Sequence, residues 1–323
     1  MELNGMTALV TGGAAGIGAG IAERLAGEGM HVVIADLDEE AGPVMAERTG
    51  GSFLRTDLAS PADVHAAVEA ASPVAVLVNN AGGTEEPHFP VAGPARWGSA
   101  LDLNLRAVML ATQLVLAPMR ARGGGAIINI ASTAGLGTAS HDSPEYAVAK
   151  AGVVRFTACL APWRDTMGVR VNCICPGLVD TPASRRSRSR MTPAELARLP
   201  PVLLPADIAA AAMEFLADDT LAGRIMLCRR GGEPPRLLPV TDGLGLPQSG
   251  LDDTAEGDQP LSPPGGPMSW SEADSPAGLR GPAGPAREGR PKPERLKQLF
   301  RKPAAYQRVT FGSSQGAEPI LKA

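Results

Sequence analysis

A strand, a glycine-rich turn and a helix open this chain, and few folds accept that succession. Met6 to Val10 is a short apolar run fit for a buried strand. Thr11-Gly12-Gly13-Ala14-Ala15-Gly16-Ile17-Gly18 follows, and apolar residues then recur at helical spacing over Ile21 to Ala26. Such a turn suits a pyrophosphate. Gly12 permits a tight reversal, Gly16 lets backbone approach an anion at the positive helix end, and Gly18 lets the helix lie close on the sheet. A plain small-residue turn is the bland alternative; the flanking strand and helix favour a dinucleotide.

The same alternation continues. His31 to Ala35 is a strand ending in Asp36, an acid placed either to bond adenosine ribose hydroxyls or to cap a Leu37 to Ala46 helix. Phe53 to Leu58 is a third strand, with Asp57 positioned to accept from an adenine amino group or simply to turn the chain. Pro73 to Val78 runs into Asn79-Asn80-Ala81-Gly82, a small polar turn at a strand's carboxyl end that suits the floor under a nicotinamide ribose. Trp97 to Met119 has helical periodicity, and Asn104 within it is intrinsically unfavourable there, so it needs solvent or a purpose. Ala126 to Ala131 is a strand with Ser132 at its end. Val169 to Ile174 is another, broken by Pro176 and Gly177, after which Thr181 offers a hydroxyl to a carboxamide. Gly223 to Cys228 is a final strand, and the pattern fades by Pro239. Six strand–helix alternations make an α/β fold with a doubly wound parallel sheet.

Tyr146 and Lys150 carry the chemistry. If Ser143 or Pro144 opens a helix, the two lie four residues apart and project from one face. Up to residue 291 the chain has no other tyrosine and no other lysine. An ammonium ~4 Å from the phenol contributes ~4 kcal/mol at an effective dielectric of ~20, enough to draw the tyrosine toward neutrality as a proton carrier.

Composition sets the bounds. The chain has 323 residues, of which 44% are hydrophobic, ample for a core. No apolar run approaches ~18 residues, so no membrane span is expected. The first strand begins too early to leave room for a signal peptide, and a cytoplasmic address follows. Cys159, Cys173, Cys175 and Cys228 lack metal-site spacing and are expected to be buried and reduced; no metal is anticipated. A net charge of −4 gives no case for nucleic acid. Residues 182 to 205 should cover the site, and the run Arg185, Arg186, Arg188, Arg190 either attracts an anionic substrate or belongs to a flexible solvated lid. Residues 241–323 are rich in proline and glycine and are expected to be a disordered tail dispensable for chemistry, with a hint of helix only at Arg295 to Arg301. Residues 1–240 form the folded domain.

Taken together these motifs resemble the short-chain dehydrogenase/reductase family, over roughly residues 3 to 235. The resemblance implies a Rossmann-type fold, with Gly12, Gly16, Ile17 and Gly18 on the phosphates and Asp57 with Leu58 on the adenine. Asn80, Ala81 and Gly82, together with Pro176, Gly177 and Thr181, would support the nicotinamide side. It also implies a catalytic tetrad of Asn104, Ser132, Tyr146 and Lys150: Ser132 bonds the substrate oxygen, Tyr146 moves the proton, Lys150 holds the ribose and Asn104 anchors a water relay. A homodimer or homotetramer acting on a small alcohol or ketone is implied too, with His88 to Trp97 and Leu136 to Ser143 shaping the substrate pocket. Asp36, with no basic residue at Ala14, Ala15 or Leu37, points to NAD rather than NADP.

Three features depart from the family pattern: Pro162 within a helix that usually continues, Arg230-Gly231-Gly232 in place of Asp-Gly-Gly, and the tail. A non-catalytic dinucleotide-binding sensor or scaffold is the competing reading. The tetrad argues for the enzyme. An epimerase or dehydratase of the extended type fits the glycine spacing less well.

Overall fold

A computed structural model describes residues 1–84 and 88–240. The expectations for residues 241–323, including the stretch at Arg295 to Arg301, lie outside the described residues. From the amino terminus, β1 (Thr7–Thr11), α1 (Gly16–Gly27), β2 (His31–Asp36), α2 (Ala41–Thr49), β3 (Ser52–Arg55), α3 (Pro61–Ala71) and β4 (Val74–Asn79) alternate. Next come α4 (Pro94–Leu101), a π-helical turn (Asp102–Arg106), α5 (Ala107–Ala121), β5 (Gly125–Ile130), α6 (Pro144–Cys159), α7 (Trp163–Met167) and β6 (Val169–Pro176). The described chain closes with α8 (Pro182–Arg188), α9 (Pro193–Leu196), α10 (Pro205–Ala217), β7 (Ile225–Cys228) and β8 (Arg236–Leu237).

The sheet order is β3-β2-β1-β4-β5-β6-β7-β8, parallel except for its last pair. The chain steps outward from β1 to β3 and returns to the other flank of β1 at β4, so the winding reverses between β1 and β4. Open sheets wound this way bind ligands at that point, beyond the strands' carboxyl ends. Strands β1 and β4 to β6 are buried on both faces, which is why β1, β4 and β5 read as mainly apolar runs rather than alternating ones, while β6 also buries Arg170 and Asn172. On one face Val10, Ile34, Val76 and Ile128 pack with Ile21 and Leu25 of α1 and Ile208 and Phe215 of α10. On the other, Leu9, Val33, Leu77 and Ile127 pack with Val64 of α3 and Val115 and Met119 of α5. Each such side chain contributes about 1.5–3 kcal/mol, so both helical layers are held to the sheet independently of their intrinsic propensities.

Several boundaries differ from those expected. Helix α2 begins at Ala41, not Leu37, because Asp38 Oδ1 accepts from the N–H groups of Glu40 and Ala41 at 3.0 and 2.9 Å and holds a turn ahead of the helix. Strand β3 stops at Arg55 rather than Leu58. Strand β8 was not foreseen; it is two residues long and follows Pro234-Pro235, which carries no strand signal. Pro162 does interrupt its helix, with α6 ending at Cys159 and α7 starting at Trp163. Cys173, Cys175 and Cys228 are buried and free, but Cys159, expected to be buried, is exposed.

Pro94 to Ala121 forms a 28-residue helical stretch that by length and composition alone is long and apolar enough to cross a membrane, a property that core helices share. Here its Val108, Ala111, Val115 and Met119 face the protein interior. The segment foreseen as a flexible lid contains two capped helices. Thr181 and Ser184 cap α8 reciprocally, Thr192 and Glu195 do the same for α9, and a Val179–Leu203 bridge closes the base of the excursion.

Candidate active site

The glycine turn lies where the winding reverses between β1 and β4. Gly12 and Gly16 adopt φ of 63° and 58°, a left-handed conformation that disfavours side chains. A Cβ on Gly18 would collide with the Gly12 carbonyl oxygen, so α1 starts hard against the end of β1. No side chain caps α1, and the N–H groups of its first turn are left for an anion. This cradle fits the pyrophosphate of a dinucleotide.

Asn80 braces the cradle. Its Nδ2 donates to the carbonyls of Thr11 and Gly12 at 3.0 and 2.9 Å, so both amide protons are spent on the turn. The backbone N–H groups of Asn80 and Ala81 both donate to Thr11 Oγ1, which in turn donates to Val78 O. Thr11 therefore ties β4 to the turn after β1. Sequence reading passed it over, although a hydroxyl directly before two glycines was the available signal.

Asp36 does not cap α2. Its Oδ2 accepts from Ala14 N–H at 3.0 Å and its Oδ1 from Asp38 N–H at 3.1 Å, so the carboxylate sits fixed on the rim of the cradle. Asp57 Oδ1 accepts from Ala59 N–H at 2.9 Å, a turn-stabilising bond, and Leu58 beside it is buried. Asp57 N–H donates to Asp63, the main reason that carboxyl is held below its ordinary range.

Ser132 stands one residue beyond the end of β5, after Ala131, and its Oγ accepts from Ala134 N–H at 3.1 Å to open a 3-10 turn. Gly135 in that turn lies so close to the Lys150 backbone that a Cβ would sit 2.6 Å from the Lys150 carbonyl carbon. This packing brings Ser132 beside α6, where its side chain acts to lower the Tyr146 pKa. Lys150 is buried, its Nζ donating to Ile130 O at 2.9 Å, and burial pushes its pKa down to about 8. The expected depression of Tyr146 is not what the structure gives. Burial raises its pKa, and the Ser132 side chain opposes that only in part. The ammonium is turned to the Ile130 carbonyl and lies 5.7 Å from the tyrosine ring centre.

Asn104 sits fully buried in the π-helical turn, a local irregularity often found at functional sites. Its Oδ1 accepts from Gly83 N–H at 3.0 Å, and its Nδ2 donates to Gly83 O and Ala100 O at 2.8 and 2.9 Å. The mid-helix asparagine thus pins the loop after β4. A Cβ on Gly82 would come within 2.6 Å of Asn104 Oδ1 and 3.0 Å of Lys150 Nζ.

Pro176 ends β6, and Gly177 passes so near the Arg229 carbonyl that no side chain fits. Thr181 Oγ1 accepts from Ser184 N–H at 3.1 Å as the α8 cap, while its methyl group lies against Gly16, where a Cβ would be 3.0 Å away. Of the four lid arginines, Arg185 and Arg188 both pair with Asp180, whose pKa is lowered chiefly by the Arg185 hydrogen bond. Arg186 and Arg190 are exposed. Glu145 was missed, and His141 was foreseen only as part of the Leu136 to Ser143 stretch. The His141 ring lies 5.8 Å from that of Tyr146, and Glu145 is buried one residue before the tyrosine.

Residues 6–192 match the family model described as short chain dehydrogenase. A 3-oxoacyl-[acyl-carrier-protein] reductase of Chlamydia trachomatis is 36% identical over 225 residues, covering 66% of this chain and 90% of the relative. A D-xylose 1-dehydrogenase of Caulobacter vibrioides is 33% identical over 230 residues, covering 68% and 91%. Among solved structures, an actinorhodin polyketide ketoreductase variant with NADPH superposes with a TM-score of 0.65 at 30% identity, covering 71% of this chain and 97% of that one.

Proposed function

The chain belongs to the short-chain dehydrogenase/reductase family, an oxidoreductase family that binds a nicotinamide dinucleotide, and we propose that this member is an NAD-dependent enzyme interconverting a secondary alcohol and its ketone. The observation that carries this reading is the pair Ala81-Gly82. A Cβ on Gly12 would meet Ala81 Cα at 2.8 Å, and one on Gly82 would meet Lys150 Nζ at 3.0 Å, so the cradle and the Tyr–Lys pair adjoin across two residues. A dinucleotide lying along that line has its reactive end beside the proton donor.

In this reading the backbone of Gly12, Gly16, Ile17 and Gly18 holds the pyrophosphate, Asp36 the adenosine ribose, and Asp57 with Leu58 the adenine. Ala81, Gly82, Tyr146, Lys150, Pro176, Gly177 and Thr181 surround the nicotinamide end, while Asn80 serves by bracing the loop. When bound, the nicotinamide exchanges hydride with the carbinol carbon. Ser132 donates to the substrate oxygen, and the Tyr146 hydroxyl gives or takes its proton. Lys150 holds a positive charge beside them. Asn104 acts through Gly83, keeping the loop where Gly82 meets Lys150.

Asp36 favours NAD. A 2′-phosphate ~4 Å from a carboxylate loses about 4 kcal/mol at a dielectric of ~20. The relatives named above act on a 3-oxoacyl thioester and on a sugar, so the substrate panel should contain both classes with simple ketones and hydroxysteroids. Turnover of one class with NADH or NAD supports the reading. Tight dinucleotide binding with no turnover across the panel would make the chain a binding protein instead.

A further inference from the structure

The loop after β4 is fastened at two places, one on each side of Tyr146. At its start Gly82 lies against Lys150, as described. Farther along, Glu145 Oε1 lies 3.1 Å from His88 Nδ1, and Oε2 accepts from Phe89 N–H at 3.3 Å. Thr84 Oγ1 donates to Ser143 Oγ at 3.0 Å and lies 3.3 Å from His88 Nδ1. Donors and acceptors match if His88 carries its proton on Nδ1: the ring and the Phe89 N–H donate to the carboxylate, and Thr84 donates to Ser143. Ala92 N–H to His88 O, 2.8 Å, completes the turn.

The Glu145 side chain is only 7% exposed. A carboxylate so buried is unfavourable unless donors surround it. Burial pushes its pKa up, but its own N–H, the Ser143 side chain, Phe89 and His88 together outweigh burial and hold it below the ordinary value. An acid in the first turn of α6 could complement the helix dipole from solvent; this one is instead turned onto another segment.

We propose that Glu145 is a positioning residue, whose carboxylate fixes residues 88–92 as a wall beside Tyr146 and so limits where the substrate carbonyl can sit. The wall-fixing half stands on the geometry alone; the substrate half rests on the oxidoreductase reading. In the full-length protein, Glu145→Ala should speed hydrogen exchange at the Phe89 amide by ~10-fold or more. Glu145→Gln, whose amide can accept from Phe89 and donate to the other His88 tautomer, should stay within about threefold of the parent. NADH affinity should be unchanged in both. With the 3-oxobutanoyl thioester of N-acetylcysteamine as probe, Glu145→Ala should raise KM about 10-fold with kcat nearly kept, and Gln should restore KM. Unchanged Phe89 exchange in the alanine variant, or a glutamine variant that behaves like it, overturns the proposal. So does a fall in kcat at constant KM. If the alanine variant fails to fold, His88→Ala carries the same exchange measurement. If the probe is not turned over at all, the oxidoreductase reading is in question, and the exchange result still decides the role of Glu145.

Discussion

Lys150 Nζ lies 5.7 Å from the ring centre of Tyr146 while donating to the Ile130 carbonyl at 2.9 Å. The helix puts the two residues on one face, but the strand end decides where the ammonium points. Lys150 is therefore a buried cation held by the Ile130 carbonyl, and burial makes its protonation sensitive to pH near 8.

Its folded-state pKa of about 8 lies below the ordinary 10.5. Between those values the unfolded chain holds a proton that the folded chain lacks, so the contribution of this group to stability rises with pH there and is constant below pH 8. Lys150→Met should abolish turnover yet stabilise the fold by about 1–2 kcal/mol at pH 7, the lost Ile130 bond offsetting part of the relieved burial cost. Urea melts of both proteins should show that gain shrinking toward pH 10. A pH-independent difference would mean that Lys150 titrates as an ordinary surface lysine.

Tyr146→Phe removes only the hydroxyl. NADH binding should survive, and turnover should fall by ~100-fold or more. Because burial raises the Tyr146 pKa, the alkaline limb of kcat/KM for carbonyl reduction should begin near pH 8, with Lys150, rather than at the tyrosine's own titration. Normal turnover in the phenylalanine variant would assign proton transfer elsewhere.

Cofactor choice is tested at Asp36, which Ala14 N–H holds on the cradle rim. Fluorescence titration should show NADH bound ~100- to 1,000-fold more tightly than NADPH. Asp36→Ala should narrow the gap, chiefly by improving NADPH. Equal affinities in the unmodified protein would remove the argument.

Gly18→Ala places a Cβ against the Gly12 carbonyl oxygen. It should cost about 1–3 kcal/mol by overpacking and abolish detectable NADH binding. Gly27→Ala, at the far end of α1 with nothing within 4 Å of the added carbon, is the control. It should leave binding intact and the melting temperature equal or higher. Normal NADH affinity in the Gly18 variant would show that the cradle tolerates a side chain.

The amino-acid sequence by itself determined the alternation of strands and helices, the glycine cradle and the Tyr–Lys spacing, because each depends on residues within a turn or two of one another. Buried parallel strands announce themselves as apolar runs, and a four-residue spacing sets one helical face wherever that helix lies. Tertiary structure alone decided what each polar group does. Asn80 braces the loop, because Thr11 and Gly12, almost seventy residues earlier, present their carbonyls to its amide. Tyr146 moves up in pKa, because burial disfavours its charged form once α6 is packed against the turn at Gly135. Glu145 is invisible in sequence as anything but a helix-start acid, since its partners His88 and Phe89 lie more than fifty residues away. Local propensity is written in neighbouring residues; burial and hydrogen-bond partnership arise only when distant segments meet, and these set both the charge state and the direction of a side chain.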